Sequence, residues 1–545
     1  MSDLVQSAIV MASSPTEETH GRLVRSASAI TPLTLLSRVT GYLREKIVAL
    51  LFGTSARTDA FIVAWRIPNM LRDIVGEGAM SSAFIPVYAH VEASRSEREA
   101  RDFVGRVLGT FAFLLALLTV SGIILSPILV NLLAHEFRGN PWQFALAVSL
   151  NRWIFPYIFL VSIAALFQGV LNAHGRFAVS AAAPVFMNVG FILATVVLAP
   201  RLREPAYALA AGVLFGGLLQ MAVQWPQLKR LRAAGRPALG WRDPDVRSVL
   251  LLMTPRLFAY GINTINLTFA TRFATELGTS NVSRLYFANR LKELVLGGFA
   301  VAIATAILPL LSRQALSSDR EDFKTTLAFA LRLIAFVTVP ATVGLIVLRF
   351  SILRVLFQGG AFGAADTQAT AGVLATLSAG LFFFAVVRVV VPAFYALKRT
   401  RLPVLAALAD CAVFLSGCFL LVPRLGLPGI GLAASLAAAV NVVVLLGALR
   451  RREGRLRGRE VARSLARITL ASTLMGAALA LAGRVIDPAA MRGLAAALAL
   501  GALILGATVV YWASAHLLGA PEPAELRQIA GRRRAARGTE GTDAP

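Results

Sequence analysis

Apolar residues occupy most of the chain in long blocks that short polar segments separate. A helix rises about 1.5 Å per residue, so about 20 apolar residues are enough to cross the hydrocarbon core of a bilayer. Such blocks predict an all-α polytopic membrane protein with about 14 transmembrane helices. The predicted helices lie at 30–52, 60–90, 103–133, 145–173, 177–199, 205–228, 247–276, 281–312, 324–350, 366–397, 402–422, 427–449, 463–483 and 492–518.

Composition supports this class. Hydrophobic residues make up 57% of the 545 residues and charged residues 15%, and the mean hydropathy is +0.69, whereas soluble domains are about 25% charged. A net charge of +25 would suggest nucleic-acid binding in a soluble protein. Cytoplasmic loops of membrane proteins collect Lys and Arg instead, so no nucleic-acid partner is expected.

The connecting segments alternate in charge. One set holds roughly 30 Lys and Arg and the other about 7, and the basic set includes "KRLRAAGRPALGWRDPDVR", "RRREGRLRGREVAR" and the tail "RQIAGRRRAARG". This bias predicts a multi-pass membrane protein whose basic segments lie on the cytoplasmic side. Because the number of spans is even, both termini are predicted to be cytoplasmic. No cleavable signal peptide is expected, since residues 1–27 are mostly polar.

An internal repeat divides the chain. The stretch "FGTSARTDAFIVAWRIPNML" at 52–71 resembles "LGTSNVSRLYFANRLKEL" at 277–294, with an offset of about 225 residues. Each half then contains six helices, and two parallel halves are related by a pseudo-two-fold axis along the membrane normal. A cleft between them is the expected place for a transported substrate.

The last two helices have no counterpart in the repeat. The predicted divisions are a cytoplasmic tail at 1–29, an N-lobe at 30–232, a C-lobe at 233–452, two extra helices at 453–518 and a basic cytoplasmic tail at 519–545.

Five arginines fall inside predicted membrane helices: Arg38, Arg44, Arg66, Arg72 and Arg290. Each costs about 2.5–3.5 kcal/mol at the centre of a membrane helix, so they are expected to face an aqueous cavity. A cationic cavity favours an anion, and the planar guanidinium suits a phosphate or diphosphate. The alternative is a set of bracing ion pairs at seven-residue spacing, which are Arg38–Glu45, Asp59–Arg66 and Arg66–Asp73.

Four stretches, "SRVTGYLRE", "TDAFIVAWRIPNMLR", "EGAMSSAFIPVY" and "FANRLKEL", resemble the MurJ (MviN) family of lipid II flippases, within the multidrug/oligosaccharidyl-lipid/polysaccharide exporter superfamily. The resemblance extends from about residue 30 to 518. It implies translocation of an undecaprenyl-diphosphate-linked peptidoglycan precursor from the inner to the outer leaflet of the bacterial cytoplasmic membrane. It also implies two lobes around a cationic cavity, and a lipid-tail groove at the two extra helices.

The resemblance also implies a set of substrate-binding residues. The cavity arginines are Arg38, Arg44, Arg72 and Arg290, and the residues lining the same region are Asp59, Arg66, Asn69, Ser283 and Glu293. Two positions depart from the family's pattern, since Asp73 stands where a second base can follow Arg72 and Asn289 where an acid can precede Arg290.

No enzyme is expected, because the chain has no P-loop, G-x-S-x-G or H-E-x-x-H motif. Energy is therefore expected from the membrane potential or an ion gradient, with Na⁺ or H⁺ as coupling ion. Asp410, an isolated acid about nine residues into an apolar span, is the ion-coupling candidate; the alternative is an acid hydrogen-bonded to a neighbouring helix.

No metal site or cofactor is expected from five scattered histidines and the cysteines Cys411 and Cys418. The predicted partners are a lipid-linked diphosphate, membrane lipids and other cell-wall synthesis proteins, and the chain is predicted to be a monomer. Two other functions stay open: a flippase for O-antigen-type lipid-linked oligosaccharides, and a non-transporting cell-wall scaffold.

Overall fold

The computed structural model describes residues 17–72, 80–231, 233, 235–317, 320–491 and 493–527, and these residues form helices and connecting turns. The α-helices, numbered α1 to α20 in chain order, are Glu17–Phe52, Ala56–Arg72, Met80–Ser94, Glu97–Leu133, Pro141–Ile154, Pro156–Ala173, Phe177–Leu198, Ala206–Ala222, Trp225–Arg230, Pro244–Glu276, Asn281–Val295, Val301–Gln314, Glu321–Val347, Arg349–Leu356, Ala364–Ala379, Leu381–Ala396, Arg401–Leu425, Leu427–Glu453, Gly458–Val485 and Gly493–Leu517. The all-α prediction is confirmed.

Eleven of the predicted membrane spans correspond to long apolar helices or pairs of helices. Ten spans of the described residues are long and apolar enough to cross a bilayer, and α15 with α16 forms an eleventh that bends by 45°. The predicted spans 30–52, 60–90 and 247–276 are not in this set. The first contains Arg44, Glu45 and Lys46 in succession, which lowers its hydropathy, and residues 73–79 of the second lie outside the described residues. The count of 14 stays a prediction.

The chain forms two compact units. Unit 1 comprises Met1–Leu51 and Ala60–Gly261, and unit 2 comprises Phe52–Asp59 and Ile262–Pro545. The segment between α1 and α2 therefore belongs to unit 2, and α10 contributes residues to both units. The lobe boundary predicted at 232/233 from the repeat stays a prediction.

In unit 1, aromatic side chains fill a core between α3, α4 and α6. Phe84, Phe103 and Phe167 are buried there, and the rings of Phe84 and Phe103 stack at 6.0 Å. Helices α7 and α8 approach so closely that a Cβ on Gly216 would lie 2.5 Å from the Met187 carbonyl oxygen. This contact fixes the turn of α7 that carries the polar side chain of Asn188.

In unit 2, the two helices outside the repeat pack against α13. Ala335 and Phe336 of α13 form a buried cluster with Ile468 of α19 and Tyr511 of α20. The Tyr511 hydroxyl donates to the Phe336 carbonyl at 2.8 Å. Since Phe336 lies four residues before Pro340, which has no N–H to offer, this phenol supplies the donor that α13 lacks.

Candidate functional site

Arg44 lies in a polar and aromatic pocket of unit 1. Its Nη2 is 2.6 Å from the Glu45 carboxylate, and Nη1 donates to Asn188 Oδ1 at 3.2 Å. The guanidinium carbon lies 5.7 Å and 5.6 Å from the ring centroids of Trp65 and Phe191. Only 13% of the Arg44 side chain is exposed. Glu45, which spacing suggested as a partner of Arg38, contacts the adjacent Arg44, and the Arg38–Glu45 pair stays a prediction.

Asn188 is a residue of this pocket that sequence reasoning missed. Its Nδ2 donates to the Ser37 carbonyl and to Thr40 Oγ1, both at 3.3 Å, while its Oδ1 accepts from Arg44. A single amide of α7 therefore contacts two turns of α1 and orients the guanidinium. The available signal was one Asn inside the apolar run "APVFMNVGFIL".

The other arginines of unit 1 have different exposures. Arg38 is exposed, whereas Arg66, Asn69 and Arg72 of α2 are half-buried. Arg38 and Arg44 are six residues apart, which places them about 120° apart around a helix, and they do occupy different surroundings. Pro68 lies within α2 between Arg66 and Arg72. The predicted pair of Arg66 with residue 73 falls outside the described residues, because residues 73–79 are not among them.

Asp59 and Ser283 meet in unit 2, at the beginning of α11. Asp59 Oδ2 accepts the Ser280 N–H at 2.6 Å and Oδ1 accepts the Ser283 N–H at 2.8 Å. N–H groups at the beginning of a helix have no carbonyl partner inside it. Asp59 is fully buried and caps α11, and its charge is favourable beside the positive end of the helix dipole. This capping takes the place of the Asp59–Arg66 ion pair that spacing suggested.

The two Gly-Thr-Ser repeats contact each other in the same region. The Ser280 hydroxyl donates to the Thr54 carbonyl at 2.8 Å, and the Thr54 hydroxyl donates to the Asp366 carboxylate. Gly53 has a φ of +58°, and a Cβ there would overlap the Ala361 carbonyl oxygen, so only glycine fits. The two Gly-Thr-Ser segments that suggested the repeat are thus in contact within unit 2.

Arg290 and Glu293 lie one turn apart on α11. Arg290 Nη2 donates to the Tyr286 hydroxyl at 2.9 Å, and its guanidinium lies 4.8 Å from the centroid of that ring. Glu293 Oε2 accepts from Arg388 Nη2 at 2.7 Å, and Lys292 Nζ lies 3.9 Å from Glu293 Oε1. Sequence reasoning missed Arg388, although a single base in "LFFFAVVRVVVPAFYA" was the available signal.

Asp410 is hydrogen-bonded to a neighbouring helix. The Asn266 amide of α10 donates to Asp410 Oδ2. This contact agrees with the structural alternative for Asp410, an acid hydrogen-bonded to a neighbouring helix. Among the described residues, no group of three His, Cys, Asp or Glu side chains could hold a metal ion.

Residues 48–515 match the family model described as Lipid II flippase MurJ. The chain belongs to the MurJ lipid II flippase family. Two relatives illustrate the match. "Probable lipid II flippase MurJ" of Vibrio cholerae serotype O1 is 36% identical over 84% of this chain and 89% of its own. "Lipid II flippase MurJ" of Burkholderia cenocepacia is 36% identical over 79% of this chain and 84% of its own.

Solved structures share the fold. "Lipid II flippase MurJ, inward closed conformation" superposes with a TM-score of 0.73 at 24% identity, covering 90% of this chain and 98% of that chain. A multidrug resistance MATE family transporter of the MOP superfamily, in an inward-facing conformation, gives 0.63 at 15% identity over 79% of this chain and 99% of that chain. The family and the apolar helices together make this chain a multi-pass bacterial inner-membrane protein of a transporter family.

Proposed function

We propose that this chain translocates lipid II, the undecaprenyl-diphosphate-linked peptidoglycan precursor, from the inner to the outer leaflet of the cytoplasmic membrane by alternating access. Family membership supports the cargo. The observation that carries the mechanism is that Arg44 and Arg290 are each held against an aromatic ring by polar contacts. Both guanidinium groups are therefore oriented in advance, which lowers the entropy lost on binding.

The diphosphate is the part of the cargo that these side chains recognise. A guanidinium can donate two parallel N–H···O bonds to a phosphate, and such charge-assisted bonds are shorter and stronger than neutral ones. Arg38, Arg66 and Arg72 add positive charge from α1 and α2, and Asn69 adds an amide. Asp59 and Ser283 serve this function indirectly, by fixing the beginning of the helix that carries Arg290.

No chemical reaction is part of the proposal. The chain moves its cargo unchanged, and the driving force is the membrane potential or an ion gradient, since a charge crossing the membrane gains about 2.3 kcal/mol per 100 mV.

Transport by the purified full chain tests this function. Liposomes that contain the protein and fluorescent lipid II are expected to move the lipid to the opposite leaflet, measured by its accessibility to an impermeant quencher or reductant. An O-antigen-type undecaprenyl-diphosphate oligosaccharide is the comparison cargo. Faster movement of that lipid would overturn the choice of cargo, and no movement of either would favour a scaffold. Arg424→Ala, which removes an exposed base in the last turn of α17, is the control for charge loss.

Coupling to Na⁺ or H⁺ through Asp410 is the second part of the proposal. Its support is a carboxylate inside an apolar helix that contacts the Asn266 amide. Asp410→Asn is expected to remove the dependence of transport on the ion gradient while lipid II still binds. Unchanged ion dependence in this variant would show that Asp410 is structural.

The two helices after the repeat are proposed to guide the polyprenyl tail. Their bilayer-facing side chains are apolar, including the exposed Leu474 and Leu481 of α19 and Leu498 and Leu505 of α20. Polar substitutions on this face are expected to impair transport and to leave head-group binding intact. Loss of head-group binding in the same variants would contradict a role confined to the tail.

Both termini are proposed to be cytoplasmic and the transporting species to be a monomer, because one chain contains both halves of the repeat. In a chain with Cys411 and Cys418 replaced by Ser, an Arg236→Cys variant should react with an impermeant thiol reagent only from the cytoplasmic side. A Gly139→Cys variant should react only from outside. Reaction of both from the same side would contradict the topology. Contacts with other cell-wall synthesis proteins stay a prediction.

A further inference from the structure

Pro68 leaves one backbone carbonyl of α2 without its usual hydrogen-bond donor. In an α-helix the N–H of residue 68 would donate to the carbonyl of residue 64, but proline has no N–H. Helix α2 nevertheless continues from Ala56 to Arg72 through this proline. A side chain of a neighbouring helix is one of the groups that can donate to such a freed carbonyl in a membrane protein.

Asn151 of α5 makes this hydrogen bond. Its Nδ2 donates to the Ala64 carbonyl oxygen at 2.6 Å, although the two residues lie 87 positions apart in the chain. Both residues belong to unit 1, and Asn151 is 1% exposed. Its Oδ1 is buried and accepts no hydrogen bond within the described part of the chain. The amide therefore serves this carbonyl as a donor.

A second helix shows the same arrangement. The Tyr511 hydroxyl donates to Phe336, four residues before Pro340, by the bond described above. In both helices a side chain from another helix donates to the carbonyl that the proline leaves without an intrahelical donor.

We propose that Asn151 is a positioning residue that holds the proline turn of α2 and so sets the direction of Arg72 relative to Arg66. Pro68 lies between these two arginines, so the backbone conformation at 64–68 determines where the last turn of α2 presents Arg72. The part of the inference that concerns transport rests on the function proposed above. The hydrogen-bond part does not.

A double-mutant cycle between Asn151 and Pro68 tests the inference. Asn151→Leu is expected to reduce the folded-to-unfolded ratio of the full chain on the order of tenfold, which corresponds to about 1.4 kcal/mol, measured by thermal or denaturant unfolding in detergent. In the Pro68→Ala background the same change is expected to have a much smaller effect, because the alanine introduced there supplies the N–H that the Ala64 carbonyl needs. Equal losses in both backgrounds would overturn the proposal.

Transport measurements distinguish a positioning role of Asn151 from a role in stability alone. Asn151→Leu is expected to raise the lipid II concentration needed for half-maximal transport. Asn151→Gln keeps an amide donor, so the concentration that it needs is expected to lie between those of the native protein and the leucine variant. The double variant is expected to regain stability without regaining transport, since the proline turn itself is then lost. Full transport by the stable double variant would show that Asn151 is only structural.

Two controls complete the design. Pro127 of α4 is a membrane proline whose freed carbonyl belongs to Ile123, so Pro127→Ala combined with Asn151→Leu is expected to give additive losses. If native protein failed to move lipid II but the Asn151–Pro68 coupling persisted, the proposed function would fail while the hydrogen-bond inference stood. Coupling of Asn151 with Pro127 as strong as with Pro68 would refute the inference.

Discussion

Arg44 in unit 1 and Arg290 in unit 2 are both held against aromatic rings, but their carboxylate neighbours behave differently. Glu45 contacts Arg44 itself at 2.6 Å. Glu293, one turn after Arg290, contacts Arg388 of a different helix at 2.7 Å. In unit 1 the acid contacts the base next to it in the chain. In unit 2 the acid lies near its adjacent base, Lys292, and makes its shorter contact with Arg388 of α16.

The two arginines therefore depend on their surroundings in different ways. Removing Arg44 takes a cation from beside the Glu45 carboxylate, whose side chain is 8% exposed, and removing one partner of a buried pair is strongly destabilising. Arg290 donates to the neutral Tyr286 hydroxyl. We therefore expect replacement of Arg44 to lower stability more than replacement of Arg290 does.

The strongest effect is expected at the arginines themselves. Arg44→Ala and Arg290→Ala should each reduce lipid II transport by about 100-fold, the upper range for a charge-assisted hydrogen bond of about 3 kcal/mol. Arg44→Ala should also lower the free energy of unfolding, by about 3 kcal/mol, and Arg290→Ala should lower it less. Transport in liposomes and unfolding in detergent measure the two effects. Lys at either position should rescue only partly, because it lacks the planar fork.

The double variant Arg44→Ala/Glu45→Gln decides between cargo binding and bracing. Removing the acid with the base should restore most of the stability and none of the transport. Recovery of lipid II transport in this variant would mean that the pair only braces the helix. Arg44 would then have no role in cargo binding comparable with that of Arg290.

Asn188 should have the next largest effect. Asn188→Leu removes the acceptor of the Arg44 Nη1–H and the two donations to α1. A hydrogen bond to a charged group contributes about 1.5–3 kcal/mol, so transport should fall about tenfold, with membrane insertion retained. Asn188→Asp should keep more activity than Asn188→Leu, because it preserves the acceptor for the guanidinium. The opposite order would exclude orientation of Arg44 as the role of this amide.

These residues also show what the sequence could and could not predict. Long apolar blocks predicted eleven of the spans, because burial in lipid constrains every residue of a block. The resemblance pointed to Asp59 and Ser283, which do meet. It could not give the partners Asn188 and Arg388, since a lone polar residue in an apolar run does not specify which helix it will face.

Spacing along one helix did not indicate every partner of the charged groups. The seven-residue pattern paired Arg38 with Glu45 and Asp59 with Arg66, but it did not indicate the contact of Glu45 with the adjacent Arg44 or the capping of α11 by Asp59. The rule considers neighbours on the same helix only. The spacing rule does not consider backbone N–H groups of another helix, although these groups are strong donors at a helix N-terminus.

Arg388 should have a smaller effect than Asn188. The Arg388 and Glu293 side chains are 33% and 45% exposed, and pairs that solvent reaches contribute about 0–1 kcal/mol. Arg388→Ala should therefore reduce transport by no more than about fivefold. Arg388→Ala/Glu293→Gln should recover it if the arginine acts by holding the carboxylate. A double variant as impaired as Arg388→Ala alone would instead indicate that Arg388 contacts the cargo directly.

The weakest effect is expected at the Tyr286 hydroxyl. Tyr286→Phe removes the acceptor 2.9 Å from Arg290 Nη2 but keeps the ring 4.8 Å from the guanidinium. Arg290 and Tyr286 are both half-buried, so water can accept from the guanidinium in place of the hydroxyl. The net loss should therefore be only about 0.5 kcal/mol, and transport should fall about twofold. Tyr286→Leu removes the ring as well, and a cation–π contact adds about 0.5–2 kcal/mol depending on desolvation. The leucine variant should therefore be clearly slower than the phenylalanine variant in the same liposome assay. Equal rates for the two would show that the hydroxyl alone orients Arg290, and the parallel with the rings beside Arg44 would then fail.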